Sequence, residues 1–219
     1  DLDIGASTVL WSGEGRDYLL VGQKSGDVYA LDPEKGGAIV WHNKVGRGGF
    51  LGGVHWGMSA NGDSLFVPIA DTTITGRFTG PISPGIHALD PTSGEVRWYT
   101  PSVADCDGKS PIPVCDQGMS AAITSTDQLV FAGSLDGNLN AYDSLSGEVV
   151  WSFDTFGEFE SVSGDTALGG SIESDGPVLY KGHVLINSGY QFGARMPGNA
   201  LMVFSLPPKA DLARSTRSE

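Results

Sequence analysis

Residues 20–41 read Leu-Val-Gly-Gln-Lys-Ser-Gly-Asp-Val-Tyr-Ala-Leu-Asp-Pro-Glu-Lys-Gly-Gly-Ala-Ile-Val-Trp. An apolar strand runs into a polar turn containing Gly26, a second strand ends on Asp32, and a Gly-rich turn leads to a third strand closing on Trp41. The pattern returns over 129–151, and its second half over 85–98 as Gly-Ile-His-Ala-Leu-Asp-Pro-Thr-Ser-Gly-Glu-Val-Arg-Trp. Trp41, Trp98 and Trp151 therefore recur at intervals of 57 and 53 residues. An internal repeat of this period is the mark of an array built from one supersecondary unit, and it decides how the rest of the chain is read.

Outward from this stretch, alternation and turn residues predict four strands per unit. The first unit takes 7–11, 18–22, 28–31 and 38–41. The second takes 57–60, 64–69, 85–89 and 96–99, and the third 119–124, 128–133, 138–142 and 149–153. A fourth unit starts with 170–173, 178–180, 183–189 and 200–206 and lacks the outer strand ending in Trp. The chain has 32 glycines and 12 prolines among 219 residues, as many short strands joined by tight turns require. The expected fold is all-β: a β-propeller of four-stranded antiparallel blades, with about four blades present over 1–206 and a polar tail over 207–219. Four units and an abrupt start point to half of an eight-bladed ring, with an N-terminal half of the propeller supplying the absent strand.

A net charge of −13 argues against nucleic acid and against anionic membrane surfaces as partners. No 18 apolar residues run together, so no membrane span is expected. Cys106 and Cys115 flank a Pro- and Gly-containing loop, and read best as a loop-closing disulfide of an oxidising compartment such as a periplasm. Two unrelated thiols, or a metal site, remain the alternatives.

Loop length separates the two faces of the array. Turns 33–37, 60–63, 91–94, 125–128 and 144–147 are short, whereas 71–84, 101–117, 155–168 and 191–198 are long. In an up-and-down blade these two classes lie on opposite rims, and function belongs to the elaborated one. Asp3, Lys24, His55 and Trp56 fall on that rim: a carboxylate, an ammonium and an aromatic suited to act as base, electrostatic clamp and stacking wall. Each also has a structural reading, as turn former, hairpin residue or packing residue. His42, His87 and His183 lie on or beside predicted strands with no partner evident from sequence.

The repeat Ala-x-Asp-x-x-x-Gly-x-x-x-Trp, at Ala88/Asp90/Gly94/Trp98 and Ala141/Asp143/Gly147/Trp151 and with one inserted residue at Ala30/Asp32/Gly37/Trp41, resembles the tryptophan-docking motif of pyrroloquinoline quinone (PQQ) propellers. With the runs 51–57, Glu158-Phe159-Glu160 and Met196-Pro197-Gly198-Asn199, the chain is most similar to the polyvinyl-alcohol dehydrogenase branch of the quinoprotein alcohol dehydrogenases. That resemblance implies oxidation of a secondary or polymeric alcohol through bound PQQ, with electrons passed to a c-type cytochrome, in a periplasmic or secreted protein. It makes Asp3 the catalytic base, and a possible calcium ligand, and Lys24 the partner of the reactive quinone oxygens. It puts Trp56 against the cofactor; His55 stands where the family carries Asn. Gly5 in place of a further Asp implies calcium rather than a lanthanide. The family's calcium-binding Glu and Asn and its quinone-stacking Trp have no counterpart in these residues. A non-catalytic envelope propeller acting as an interaction scaffold is the rival expectation. A sugar-binding or glycosidase propeller would need paired carboxylates, for which Glu158 and Glu160 are the candidates.

Overall fold

The computed structural model describes residues 2–73, 78–111, 114–190 and 195–206. The first blade comprises β1 (Val9–Gly13), β2 (Arg16–Gly22), β3 (Asp27–Asp32) and β4 (Ala38–Lys44), paired antiparallel in that order. The second comprises β5 (Ser59–Ala60), β6 (Leu65–Ile69), β7 (Gly85–Leu89) and β8 (Val96–Pro101). The third comprises β9 (Thr124–Ser125), β10 (Leu129–Gly133), β11 (Asn138–Asp143) and β12 (Val149–Asp154). A hairpin of β13 (Gly157–Glu160) and β14 (Thr166–Gly169) follows. The last sheet holds β15 (Val178–Tyr180), β16 (His183–Ser188) and β17 (Ala200–Ser205). These are the four-stranded antiparallel sheets of a β-propeller; the fourth sheet has three strands among the described residues.

The Ala-x-Asp element repeats in detail. At Ala30/Leu31, Ala88/Leu89 and Ala141/Tyr142 the third strand of each blade slips register against the fourth, a bulge in the same place three times. The aspartate that follows turns the chain. Asp32 Oδ1 accepts the amides of Glu34 and Lys35, Asp90 Oδ1 those of Thr92 and Ser93, and Asp143 Oδ1 those of Leu145 and Ser146. The residue inserted in the first copy is absorbed as a short 3-10 turn, Pro33–Lys35.

The glycine after each turn is the floor for a tryptophan of the preceding blade. Trp41 donates its indole N–H to the Pro91 carbonyl at 2.9 Å, and a Cβ on Gly94 would lie 2.4 Å from its ring. Trp98 repeats this on the third blade, donating to the Ser144 carbonyl at 3.1 Å, with a Cβ on Gly147 2.5 Å away. Both glycines have φ of +74°, so a side chain there meets backbone strain as well as the indole. The array has two open ends in this scheme. Among the described residues nothing lies within 4 Å of a Cβ on Gly36 or Gly37, and Trp151, lying edge-on to Phe204, is 37% exposed.

The core lies between blades rather than within them. Leu20, Val28, Ala30 and Trp41 pack against Val54, Leu65, Val67 and Ile69, and Phe66, Ile86 and Ala88 pack against Met119, Val130 and Tyr142. Ala121, Leu139, Ile172 and Ile186 join the third blade to the fourth sheet.

The innermost segments differ from expectation. Residues 119–124 and 170–173, expected as strands, are extended without sheet pairing except at Thr124, and 57–60 shortens to Ser59–Ala60. Their backbone groups are spent elsewhere: Val54, Met119 and Ile172 donate to the carbonyls of Gln23, Ile69 and Ser134 of the blade before. The long connection 155–168, expected as a loop, contains the β13–β14 hairpin, in which Phe159 pairs with Ala167. The tail 207–219 lies outside the described residues.

Trp41→Ala is expected to cost about 3–5 kcal/mol in denaturant unfolding, and Trp151→Ala clearly less; equal costs would contradict the docking scheme. The amide and hydroxyl of Ser146 hold the Asp143 carboxyl below the ordinary aspartate range. Burial opposes the effect at Asp90, but Thr92 and Arg97 outweigh it and hold that group well below the range too. A depressed folded-state pKa stabilises above the unfolded value and is lost on acidification. Stability is therefore expected to fall below about pH 4, and less steeply in Asp90→Asn; a pH series of unfolding midpoints reads both.

Candidate functional site

One backbone hydrogen bond recurs in every unit and locates the site. The amide of the residue just after or near the end of the second strand donates to the innermost segment: Lys24 to Asp3, Ala70 to Gly53 and Leu135 to Gly118 at 3.0 Å each, and Gly189 to Ser171 at 2.9 Å. This aligns Asp3-Ile4-Gly5-Ala6 with Gly53-Val54-His55-Trp56, Gly118-Met119-Ser120-Ala121 and Ser171-Ile172-Glu173-Ser174. Asp3 stands where the other units have glycine or serine. Lys24 stands where they have alanine, leucine or glycine, and Trp56 where they have alanine or serine. The hydrogen bond asks nothing of these side chains, so the frame does not explain them.

They converge on one rim. Lys24 Nζ lies 3.7 Å from Asp3 Oδ2, with Lys24 side chain 13% exposed and that of Asp3 67%. The ammonium also sits over the Phe50 ring, 5.8 Å from its centre. Gly5 is the hinge between them and His55: a Cβ there would lie 2.8 Å from the His55 carbonyl oxygen and 3.6 Å from Lys24 Cε. There is no room at position 5 for the side chain of an additional aspartate without moving the backbone. The His55 and Trp56 rings tilt against each other at 5.0 Å.

The loop carrying His55-Trp56 is held by a buried carboxylate that the sequence reading did not pick out. Asp71, fully buried and at a φ of +33°, accepts amides from Arg47 (2.7 Å), Gly48 (2.9 Å), Gly53 (3.1 Å) and Ser83 (3.1 Å). Three of these four donors lie in the Gly-rich run 46–53, so one carboxylate fixes that run, and hence where His55 and Trp56 emerge.

Three further residues escaped the sequence reading. His55 Nδ1 is 2.7 Å from Ser120 Oγ, Ser120 Oγ donates to Glu173 Oε1 at 2.7 Å, and Arg195 Nε lies 3.8 Å from Glu173 Oε2. All four are buried. The signal that would have found them is the alignment of innermost segments, which loops of different length hide. The other histidines serve local structure. His42 Nε2 pairs with Asp27 at 2.7 Å, and His183 Nδ1 faces the carbonyls of Tyr180 and Lys181. His87 stacks on Tyr99, with burial lowering its pKa. Glu158 and Glu160 are exposed on β13. Cys106 and Cys115 form a disulfide, with an S–S distance of 2.05 Å.

Trp56 Nε1 is buried and donates no hydrogen bond among the described residues, an unused donor of the kind that a ligand oxygen, such as one of PQQ, would take up. For a metal the chain contributes less. Among the described residues, no group of three or more His, Cys, Asp or Glu could hold an ion.

Comparison with known proteins agrees with this architecture. The chain belongs to the PQQ-propeller repeat family described as "Outer membrane protein assembly factor BamB", whose model matches residues 24–166 and again 83–195, the offset reflecting the internal repeat. Within that class its likeness is to quinoprotein alcohol dehydrogenases. It is 34% identical over 220 residues to the polyvinylalcohol dehydrogenase of Sphingopyxis sp. (strain 113P3), covering 95% of this chain and 33% of that protein. It is 34% identical over 112 residues to the 1-butanol dehydrogenase (cytochrome c) of Thauera butanivorans, covering 50% of this chain and 15% of that protein. The fold matches the quinohemoprotein alcohol dehydrogenase of Comamonas testosteroni with a TM-score of 0.58 at 18% identity, over 85% of this chain and 29% of that one. The chain thus spans about a third of the length of the first of these relatives.

Asp71→Ala is expected to lower stability by about 2–4 kcal/mol, since it strands buried amide donors, and to shift Trp56 fluorescence. The exposed Asp63→Ala should change neither. Equal unfolding midpoints for the two variants would contradict the role given to Asp71.

Proposed function

We propose that this chain contributes blades and the catalytic rim of a PQQ-dependent alcohol dehydrogenase acting on a secondary or polymeric alcohol. The observation that carries the reading is the coincidence at one rim of Asp3, Lys24 and Trp56, the side chains that depart from the fourfold backbone pattern. Bound PQQ would supply the two-electron acceptor. Lys24 and Trp56 would hold its oxygens through an ammonium and an indole N–H, and Asp3 would take the alcohol proton on its exposed carboxylate. Close to Lys24, oxyanion character is stabilised without solvent having to reorganise.

The finer assignments are part of the same proposal. Calcium binds through six to eight oxygens; Asp3 would give one carboxylate, and residues outside this stretch the remainder. A c-type cytochrome would accept the electrons. Further blades of the same protein would close the ring, bringing a tryptophan onto Gly37 and a glycine turn under Trp151, the two open positions of the docking scheme. The Cys106–Cys115 disulfide supports a periplasmic or secreted setting, and no helix among the described residues is long and apolar enough to cross a membrane.

A scaffold propeller is the second reading, favoured by the description of the matching family; it requires nothing of Lys24. Dye-linked oxidation of a secondary alcohol by the full-length protein with PQQ and calcium separates the two. Asp3→Asn and Lys24→Ala are each expected to lower kcat by about 10²–10³-fold. Absence of activity, or full activity in both variants, sinks the dehydrogenase reading.

A further inference from the structure

His55, Ser120 and Glu173 occupy the same position of three successive units, each one step past the amide that ties its segment to the previous blade. The three side chains form a line across three blades: His55 Nδ1 to Ser120 Oγ at 2.7 Å, then Ser120 Oγ to Glu173 Oε1 at 2.7 Å. The fourth member of the set is Gly5, which has no side chain to add to the line and lies against the His55 backbone carbonyl and Lys24 Cε. Equivalent positions in a tandem repeat normally carry equivalent packing residues, as Val54, Met119 and Ile172 do immediately before them. A base, a hydroxyl and an acid in hydrogen-bonding sequence are not packing residues.

Proton counting fixes how the line is wired. Glu173 is buried with the Arg195 guanidinium 3.8 Å from its Oε2, and a carboxylate so paired only accepts. Ser120 has one proton, and it goes to Glu173 Oε1. The Ser120 oxygen must then accept, and the donor facing it is His55 Nδ1. In the neutral ring this puts the proton on Nδ1 and the lone pair on Nε2, the ring nitrogen remote from Ser120.

We propose that Glu173 and Ser120 are positioning residues that lock His55 in the Nδ1–H tautomer, so that Nε2 serves the rim as a hydrogen-bond acceptor for an alcohol hydroxyl. The role rests on the dehydrogenase reading and refines it toward substrate. A polymeric alcohol with hydroxyls on alternate carbons offers a second hydroxyl next to the one being oxidised. A neutral imidazole can accept from it, while Asp3 takes the proton of the hydroxyl being oxidised. The asparagine expected at this place from the family resemblance would offer an amide with both donors and an acceptor; His55 in this tautomer offers the substrate an acceptor alone.

The test uses the full-length protein with 15N-labelled histidine. Long-range proton–nitrogen spectra report which imidazole nitrogen is protonated, and the His55 signals are assigned by their loss in His55→Asn. The wild type is expected to show His55 as the neutral Nδ1–H form, and Ser120→Ala to lose that preference. A wild-type Nε2–H form, or a doubly protonated ring at neutral pH, overturns the relay whether or not the variant folds. Titration with pentane-2,4-diol, a 1,3-diol, is then expected to move the His55 Nε2 resonance. Its binding should be about tenfold weaker in Ser120→Ala, the size of one lost hydrogen bond. A resonance that does not respond to the diol overturns the substrate role. Absorbance titration of the same sample with PQQ reads the dehydrogenase assignment separately: diol binding at His55 without quinone binding would remove that assignment and leave the relay standing.

Discussion

The constraint on which the structure depends is the hydrogen bond repeated at Lys24–Asp3, Ala70–Gly53, Leu135–Gly118 and Gly189–Ser171. It joins the inner segment opening each unit to the end of that unit's second strand. Beside it, a second bond ties Val54, Met119 and Ile172 to the blade before. Together they replace sheet pairing along the innermost segments, where strands converge and the sheets narrow. A buried backbone amide without a partner costs as much as the bond it forgoes, so these segments have their depth and register fixed by the bonds rather than by side chains. Side chains along them are consequently free to vary, and there the chain places Asp3, Gly5, His55, Trp56, Ser120 and Glu173.

The outer rim works differently. Tryptophan on glycine, backed by an indole-to-carbonyl hydrogen bond, locks blade to blade through shape, and the same residues are needed each time. One rim is therefore repetitive because packing dictates its residues. The other departs from repetition because its backbone bonds already hold it. Asp71 extends that logic, gathering four amides so that the glycine-rich approach to His55 needs no packing side chains of its own.

This division also explains what the sequence made legible. The Ala-x-Asp, Gly and Trp positions could be read directly, because each has one physical job done three times. Asp3, Lys24, His55 and Trp56 could be nominated by their place on the long-loop rim; Asp3 lies against Lys24, Gly5 against Lys24 and the His55 backbone, and the Trp56 ring against that of His55. Ser120, Glu173 and Arg195 could not. Their equivalence to His55 and its surroundings is set by backbone bonds between segments separated by connections of unequal length, and serine or glutamate before a strand has no signature of its own. The innermost segments differ from expectation for the same reason: apolar alternation in 119–124 and 170–173 marks burial, while pairing partners depend on convergence of the blades. The hairpin β13–β14 was hidden by its exposure, since a strand pair with polar residues on both flanks reads as a loop.

On the proposed function, Lys24 departs from the repeat because it binds a quinone. Spectroscopic titration of the full-length protein with PQQ, comparing the wild type with Lys24→Ala and with Lys35→Ala on the opposite rim, tests it most directly. The account predicts saturable binding, weakened about tenfold or more by Lys24→Ala and unchanged by Lys35→Ala. Equal affinity in all three proteins, or no binding in any, would contradict it.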